Sequence, residues 1–176
     1  VPPGTAGVAP AADYLTWDTA ATNLGDAMAV AGSGSVVMVT NGLHYLTNVI
    51  NVVTGIVIRS WRDGELDPTN TVVIGTGATN CFYLNHAGAL LEGLTITNGY
   101  AQGTLRGGGV YIYENGGTVR RCIIAGNSAW SGAGVFMRST KGLLENSTIR
   151  NNRGLGAGGQ GGGGVYVELF GSVQGC

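Results

Sequence analysis

Four short segments of this chain align with one another almost position for position. They are Phe82-Tyr83-Leu84, Val110-Tyr111-Ile112, Val135-Phe136-Met137 and Val165-Tyr166-Val167, and each is followed by a second short apolar run. Equivalent positions are 28, then 25, then 29 or 30 residues apart. A period in this range is typical of a solenoid, in which each repeat forms one coil stacked on the next. The sequence therefore predicts an elongated stack of coils.

The composition agrees with short strands and tight corners. The chain has 33 Gly among 176 residues, and 11% of its residues are charged, which leaves little material for amphipathic surface helices. The formal net charge is −1 and no basic block occurs, so nucleic acid is not expected as a partner. No apolar run approaches the roughly 20 residues of a membrane-spanning helix, so no span is expected in this segment.

Strand alternation assigns side chains to the two faces of each coil. Successive side chains of a strand point to opposite faces, so the flanking apolar residues of each triplet are predicted to face inward. The central residues then form an outward aromatic ladder of Tyr83, Tyr111, Phe136 and Tyr166. Such a ladder either binds sugar rings or packs on itself, and the sequence leaves both interpretations open.

Another position that is predicted to face inward is occupied on three successive coils by Cys122, Ser147 and Cys176. Cys122 and Cys176 are two rungs apart, or about 10 Å at roughly 4.8 Å per rung, which exceeds the reach of a disulfide. Both are expected to be buried free thiols. His44 and His86 are expected in turns or at the surface, and no Cys/His spacing indicates a metal site.

The chain is expected to form one domain and to be part of a longer protein, with an N-terminal segment and capping helix over residues 1–34 and parallel β-helix coils over 35–176. Within the first segment, Thr16 or Asp18 is predicted to cap a short helix that closes one end of the stack. Its apolar stripe has helical spacing and comprises Ala20, Ala21, Leu24, Ala27 and Met28. Strands are predicted at 36–40, 49–53, 55–60 and 71–74.

Two sets of polar residues lie in predicted corners and loops. Asparagines recur at one corner as Asn98, Asn127, Asn151 and Asn152, where left-handed backbone and side-chain-to-backbone hydrogen bonds are expected. The Gly-rich excursions 99–109, 128–134 and 153–164 fall at this same corner. The loop at 62–68 carries Asp63, Glu65 and Asp67, which form a weak calcium candidate because their spacing lacks the ligand density of a known loop motif.

Two motifs together carry a family resemblance. Gly107-Gly108-Gly109-Val110, Gly132-Ala133-Gly134-Val135 and Gly162-Gly163-Gly164-Val165 alternate with Cys/Ser-x-Ile-x-x-Asn runs at 122–127 and 147–152. The chain thereby resembles bacterial right-handed parallel β-helix repeat proteins of the pectate-lyase-like superfold, in particular the polymorphic outer-membrane-protein-like surface and adhesin type. The resemblance implies an all-β, right-handed parallel β-helix with a short N-terminal capping α-helix. It also implies an extracellular or cell-surface protein with a structural or adhesive role and no cofactor.

Three functional hypotheses follow for such a coil stack. As a structural or adhesive protein, its partner would be a second copy, joined end to end into fibres or laterally, or a host or polysaccharide surface. As an enzyme, it would need carboxylates converging on one face, as in the cleavage of acidic polysaccharides. Glu92 and Glu145 occupy equivalent positions with Arg120 between them, which favours a surface charge ladder, so no catalytic activity is expected. Polysaccharide binding by the aromatic ladder remains the third hypothesis.

Overall fold

The structure, a computed structural model, describes residues 16, 19–61, 65–156 and 162–176. Residues 1–15, Asp18 and Asp63, for which the sequence analysis made predictions, lie outside these residues. The described elements, in chain order, are α1 (Leu24–Val30), β1 (Val36–Thr40), β2 (Gly42–Tyr45), β3 (Ile50–Val52), β4 (Val57–Trp61), β5 (Thr71–Ile74), β6 (Phe82–Leu84), β7 (Leu90–Glu92), β8 (Thr95–Thr97), β9 (Tyr100–Arg106), β10 (Val110–Ile112), β11 (Gly117–Arg120), β12 (Ile123–Ala125), β13 (Ser128–Ser131), β14 (Val135–Arg138), β15 (Gly142–Glu145), β16 (Thr148–Arg150), β17 (Arg153–Gly154), β18 (Val165–Leu169) and β19 (Ser172–Gln174).

The strands form four parallel sheets that wrap around one core. The first sheet has the order β1-β4-β7-β11-β15-β19, the second β2-β5-β8-β12-β16, the third β3-β6-β10-β14-β18 and the fourth β9-β13-β17. Each coil contributes one strand to each sheet it passes through, so neighbouring strands come from successive coils. The first sheet spans about 24 Å, at about 4.8 Å per rung. The predicted all-β parallel solenoid is confirmed.

The predicted alternation of inward and outward side chains is also confirmed. In β10, Val110 and Ile112 are fully buried while Tyr111 between them is partly exposed. In β12, Ile124 is buried and Ile123 faces outward. Inward aliphatic side chains from the first three sheets form a single continuous core. Because only period-two alternation puts both flanking residues inside, a one-residue slip in any coil would expose its core side chains.

The N-terminal helix is shorter than the sequence predicts and begins later. Its N-cap is Asn23, whose side-chain oxygen accepts a hydrogen bond from the Asp26 N–H at 2.9 Å. The prediction of Thr16 as the cap is wrong, since Thr16 and Thr19 bond to each other before the helix starts. Of the predicted apolar stripe, Leu24, Ala27 and Met28 lie in the helix, with Leu24 and Ala27 buried, whereas Ala20 and Ala21 precede it. The helix packs against β1 and β3 and so covers this end of the stack.

The Gly-rich excursions contain an element that the sequence analysis did not foresee. Their first residues pair in parallel as β9, β13 and β17, with Ser128 opposite both Tyr100 and Arg153. This fourth sheet has its own small buried cluster of Ala101, Ala129 and Ala133. Because their side chains are so small, the excursion packs close to the main coil.

The corner asparagines form a hydrogen-bonded ladder in which Asn127 is buried. The Asn127 side chain donates to the Ile96 carbonyl at 3.0 Å and accepts from the Gly99 N–H at 2.9 Å. Asn152 repeats the arrangement one coil later by donating to the Ile124 carbonyl at 2.8 Å. The position just before the ladder position in each coil has a left-handed backbone, with φ of 57° at Asn98 and 54° at Asn151. The predicted structural role of these asparagines is confirmed.

The histidines differ in their surroundings. His86 lies exposed in a turn as predicted, where its Nδ1 accepts from the Gly88 N–H at 3.0 Å. The prediction for His44 is wrong, because it occupies an inward position of β2 and is buried. Its Nε2 lies 2.8 Å from the Thr40 carbonyl oxygen and donates to it. No strand was predicted at Gly42–Tyr45, so the inward position of His44 could not be inferred from the sequence.

Burial of His44 predicts a loss of stability in mild acid. Desolvation lowers its pKa below the ordinary value of 6.5 despite the Thr40 hydrogen bond. Below pH 6.5 the unfolded chain therefore takes up a proton that the folded chain does not, and the free energy of unfolding falls with pH. We expect the urea midpoint to decrease between pH 7.5 and pH 5, above the range in which ordinary carboxylates titrate. His44→Leu should remove this decrease, whereas a decrease that persists in His44→Leu and disappears in His86→Gln would contradict the assignment.

Candidate functional site

The outward face of the third sheet carries the predicted aromatic ladder. Asn51, Tyr83, Tyr111, Phe136 and Tyr166 stand in register on β3, β6, β10, β14 and β18. The outward direction and the register are therefore as predicted. Tyr113, just after β10, joins the cluster, with its ring centroid 5.6 Å from that of Tyr111 and 5.9 Å from that of Tyr83.

The rings contact one another along the file. Tyr83 and Tyr111 meet edge to face with centroids 5.6 Å apart, and Tyr111 and Phe136 do so at 5.2 Å. Phe136 and Tyr166 are stacked at 5.4 Å with an interplanar angle of 4°. Each such pair contributes roughly 0.5–1.5 kcal/mol beyond the burial of its area. Self-packing of the ladder, one of the two interpretations left open, is thus present, while ligand binding stays a prediction.

Phe136 differs from the other members of the ladder because it is fully buried. The guanidinium carbon of Arg106 lies 4.9 Å from the centre of its ring, in cation–π geometry. Tyr83 and Tyr111 are partly exposed, and Tyr166 is 38% exposed. Phe136 therefore supports its neighbours in this structure, and the surface open to a ligand is formed by the tyrosines.

A charged bridge closes one side of the aromatic surface. Arg106 Nη1 lies 3.0 Å from Glu168 Oε1, and Arg138 Nε lies 3.4 Å from Glu168 Oε2. The pairing of β14 with β18 shifts between Met137 and Arg138, so that Arg138 lies opposite Leu169 and Glu168 is an extra residue. Such bulges redirect side chains, and this one places a carboxylate between two arginines. We call the tyrosines, Phe136 and this bridge the aromatic–arginine face.

The hydroxyls of Tyr83, Tyr111 and Tyr113 stay neutral near pH 7, because the pKa of each is raised. Burial is the main cause that raises the pKa of Tyr83 and of Tyr111. For Tyr113 the main cause is a side-chain hydrogen bond with Glu114, which also raises its pKa. At neutral pH these groups therefore act as hydrogen-bond donors and acceptors and not as anions.

The predicted charge ladder lies on the first sheet, but its central carboxylate is buried. Glu92, Arg120 and Glu145 stand in register on successive strands, as expected, and Arg59 precedes them in the same file. Glu92 is only 1% exposed, so its description as a surface residue was wrong. Its oxygens lie 2.7 Å from Arg120 Nε, 3.4 Å from Arg59 Nη2 and 3.6 Å from Arg121 Nη1. This carboxylate is committed to the three guanidinium groups around it.

Neutralising Glu92 should destabilise the stack. In Glu92→Gln the amide keeps the shape of the side chain, but three guanidinium groups lose their counter-charge. Because one partner of a buried ion pair would be left uncompensated, we expect a loss of about 2 kcal/mol in the free energy of unfolding, measured by urea denaturation. Glu145→Gln, in the same file but partly exposed, is the control and should change it by less than about 0.5 kcal/mol. Equal effects of the two substitutions would contradict the buried network.

The weak calcium candidate is only partly visible. Asp63 lies outside the described residues and Glu65 is exposed. The Asp67 carboxylate accepts hydrogen bonds from Thr69 Oγ1 at 2.9 Å, Asn70 Nδ2 at 3.0 Å and Asn41 Nδ2 at 3.2 Å. In the described part of the chain, no three His, Cys, Asp or Glu residues are grouped as metal ligands. Calcium binding by this loop stays a prediction.

The thiols divide into two buried and one exposed. Cys81 and Cys122 are buried, and desolvation raises the pKa of each to about 12, which leaves them unreactive near neutral pH. Cys81 packs where Gly75 and Gly99 leave space, since a Cβ at either glycine would lie within 3 Å of its sulfur. Cys176 is exposed, contrary to the prediction, because no further coil covers it in this structure.

The comparisons with known proteins agree with this architecture. A family model described as "Right handed beta helix region" matches residues 57–169, which is more than half of the chain. No curated protein and no solved structure matches. In the part of the chain that the structure describes, no helix is long and apolar enough to cross a membrane.

Proposed function

Because the chain belongs to the right-handed β-helix family, we propose that it is a non-catalytic structural and adhesive protein of the cell surface or extracellular space. The observation that carries this proposal is the parallel pairing, which continues from coil to coil in all four sheets. Each internal strand is hydrogen-bonded on both sides, so the stack is a stiff support whose outward side chains are held in fixed positions. Such a support presents a binding surface with little loss of conformational entropy on binding.

The state of the carboxylates supports a structural role over a catalytic one. Glu92 pairs with three arginines, and Glu168 pairs with two. Asp67 is held by the side chains of its own turn and of Asn41. A general acid or base in polysaccharide cleavage must instead approach the glycosidic bond and exchange a proton with it.

An activity assay tests the absence of catalysis. The purified chain is incubated with polygalacturonate and with neutral glucans and mannans, with and without calcium. Absorbance at 235 nm detects lyase products, and a reducing-end assay detects hydrolysis. We expect neither signal to exceed a blank without protein. Product formation that is lost in Glu168→Gln or Glu92→Gln, with the variant still folded, would overturn the proposal.

Surface placement is tested on intact cells of the source organism. The resemblance to bacterial surface β-helix proteins supports this placement. We expect protease added to intact cells to remove the chain, detected by an antibody, while a cytoplasmic marker stays uncut. A chain that resists the protease until the cells are lysed would contradict an exposed location.

Polysaccharide binding is a second candidate function, favoured by the aromatic–arginine face. Partly exposed tyrosine rings lie beside two arginines and a carboxylate, a combination that suits both the apolar faces and the hydroxyls of sugars. We expect the double variant Tyr111→Ala/Tyr166→Ala to bind immobilised polysaccharide at least fivefold more weakly in affinity electrophoresis. Phe170→Ala is the matched control, because this ring is 91% exposed but has no ring contact with the ladder. Unchanged retention of the double variant would remove this candidate.

A further inference from the structure

A cleft of about 410 Å³ opens at the end of the stack that α1 covers. It lies between the helix and the connection from β2 to β3, and its lining reaches Asn51 of β3. Residues that line it include Asn23, Asp26, Met28, Tyr45, Asn48 and Asn51. The size is suited to one sugar ring or a similarly small polar group.

The lining combines an aromatic ring with groups that both donate and accept hydrogen bonds. Tyr45 is 65% exposed although it is a large side chain at the end of a strand. Among the described residues, the side-chain amides of Asn48 and Asn51 have no hydrogen-bond partner. Asp26 is oriented by Asn23, whose Nδ2 donates to Asp26 Oδ2 at 2.7 Å. The exposed amides of Asn48 and Asn51 and the Asp26 carboxylate line the same cleft, so they can bind hydroxyl groups of one ligand, while the Tyr45 ring packs on its C–H bonds.

The charge of the lining selects among sugars. Asp26 is the one ionisable carboxylate among the residues that line the cleft, and none of them is Lys, Arg or His. A uronic acid would bring a second negative charge close to Asp26, and the described residues of the lining supply no lysine, arginine or histidine to compensate it. Neutral sugars have no such penalty.

We propose that this cleft binds one residue of a neutral glycan. Asn51 connects the cleft to the aromatic ladder, because it lines the cleft and stands in register with Tyr83 at the foot of the file. A glycan that starts in the cleft continues along the third sheet past Tyr83 and Tyr111. The inference rests on the second candidate function and deepens it, since it names the class of glycan and fixes where one end of it lies.

A titration followed by amide NMR spectra tests the proposal. The ¹⁵N-labelled chain is titrated with cellohexaose, mannohexaose and maltohexaose as neutral probes, and with hexagalacturonate as the acidic probe. We expect at least one neutral probe to shift the amide signals of Tyr45, Asn48 and Asn51. Tyr45→Ala and, independently, Asn48→Ala should weaken that binding at least tenfold. Phe170→Ala should leave it unchanged.

The alternative outcomes distinguish glycan binding in the cleft from glycan binding by the aromatic–arginine face. Shifts confined to Tyr83 and Tyr111 would overturn the cleft and leave polysaccharide binding by the aromatic–arginine face intact. Binding of hexagalacturonate alone would overturn the neutral class. No shift with any of the four probes would overturn the cleft inference, and unchanged retention of Tyr111→Ala/Tyr166→Ala would then separately remove binding by the face.

Discussion

Gly134→Ala is expected to lower the free energy of unfolding by about 3 kcal/mol or more, one of the two largest effects predicted for this chain. A Cβ at this position would lie 2.6 Å from the Gly164 carbonyl oxygen and 2.8 Å from Asn152 Nδ2. The Gly164 carbonyl accepts the Val135 N–H at 2.9 Å, so it cannot move aside without loss of a rung of the third sheet. Thermal unfolding should show a decrease of roughly 6–12 °C in Tm.

The adjacent position supplies the control for this substitution. Ala133 already carries a Cβ, and it is fully buried in the small alanine cluster of the fourth sheet. Ala133→Gly removes a methyl group and adds backbone freedom, which should cost only about 1 kcal/mol. If Gly134→Ala were no more destabilising than Ala133→Gly, the close backbone approach would not be what selects glycine before β14.

The second large effect concerns the asparagine ladder. Asn127→Ala leaves the Gly99 N–H and the Ile96 carbonyl without their side-chain partner. Asn127 is fully buried, so water does not replace these bonds freely. We expect a loss of about 3 kcal/mol in urea denaturation. Hydrogen exchange at the Gly99 amide should accelerate more than exchange at amides of the first sheet, which would locate the damage at the corner.

Asn115→Ala is the matched control for the ladder. Asn115 is exposed in a turn, and its bond to Asn85 uses its backbone N–H and not its side chain. The substitution should change the free energy of unfolding by less than about 0.5 kcal/mol. A similar small effect for Asn127→Ala, with unaltered exchange at Gly99, would contradict a supporting role of the ladder.

The repeat and its alternation could be predicted because they depend only on local periodicity. Four aligned triplets identified the rungs, and the inward and outward assignments of Tyr111 and Ile124 followed from the pleat of a strand. The asparagine corner was equally accessible, since left-handed backbone restricts the residue types. These features repeat from coil to coil, so each coil supports the interpretation of the next.

What could not be predicted depends on long-range packing. Arg106 covers Phe136 because it is the last residue of β9, just before the chain enters β10 of the third sheet, and nothing in the local sequence fixes where β9 ends. Glu168 joins two arginines because of a bulge, and a single inserted residue leaves no periodic signal. The burial of Glu92 likewise depends on what packs around it. The candidate site was therefore predicted as a row of aromatic rings, without the charged bridge and without the end cleft.

The cap formed by α1 gives the stack a direction that matters while the chain is being made. A ribosome releases the amino end first, so the covered coil can close before later coils exist. Each new coil then pairs with strands that are already formed, and it needs contacts only with the coil before it. We expect the coil against which α1 packs to close more slowly than each later coil is added, because a later coil pairs with strands that are already in place.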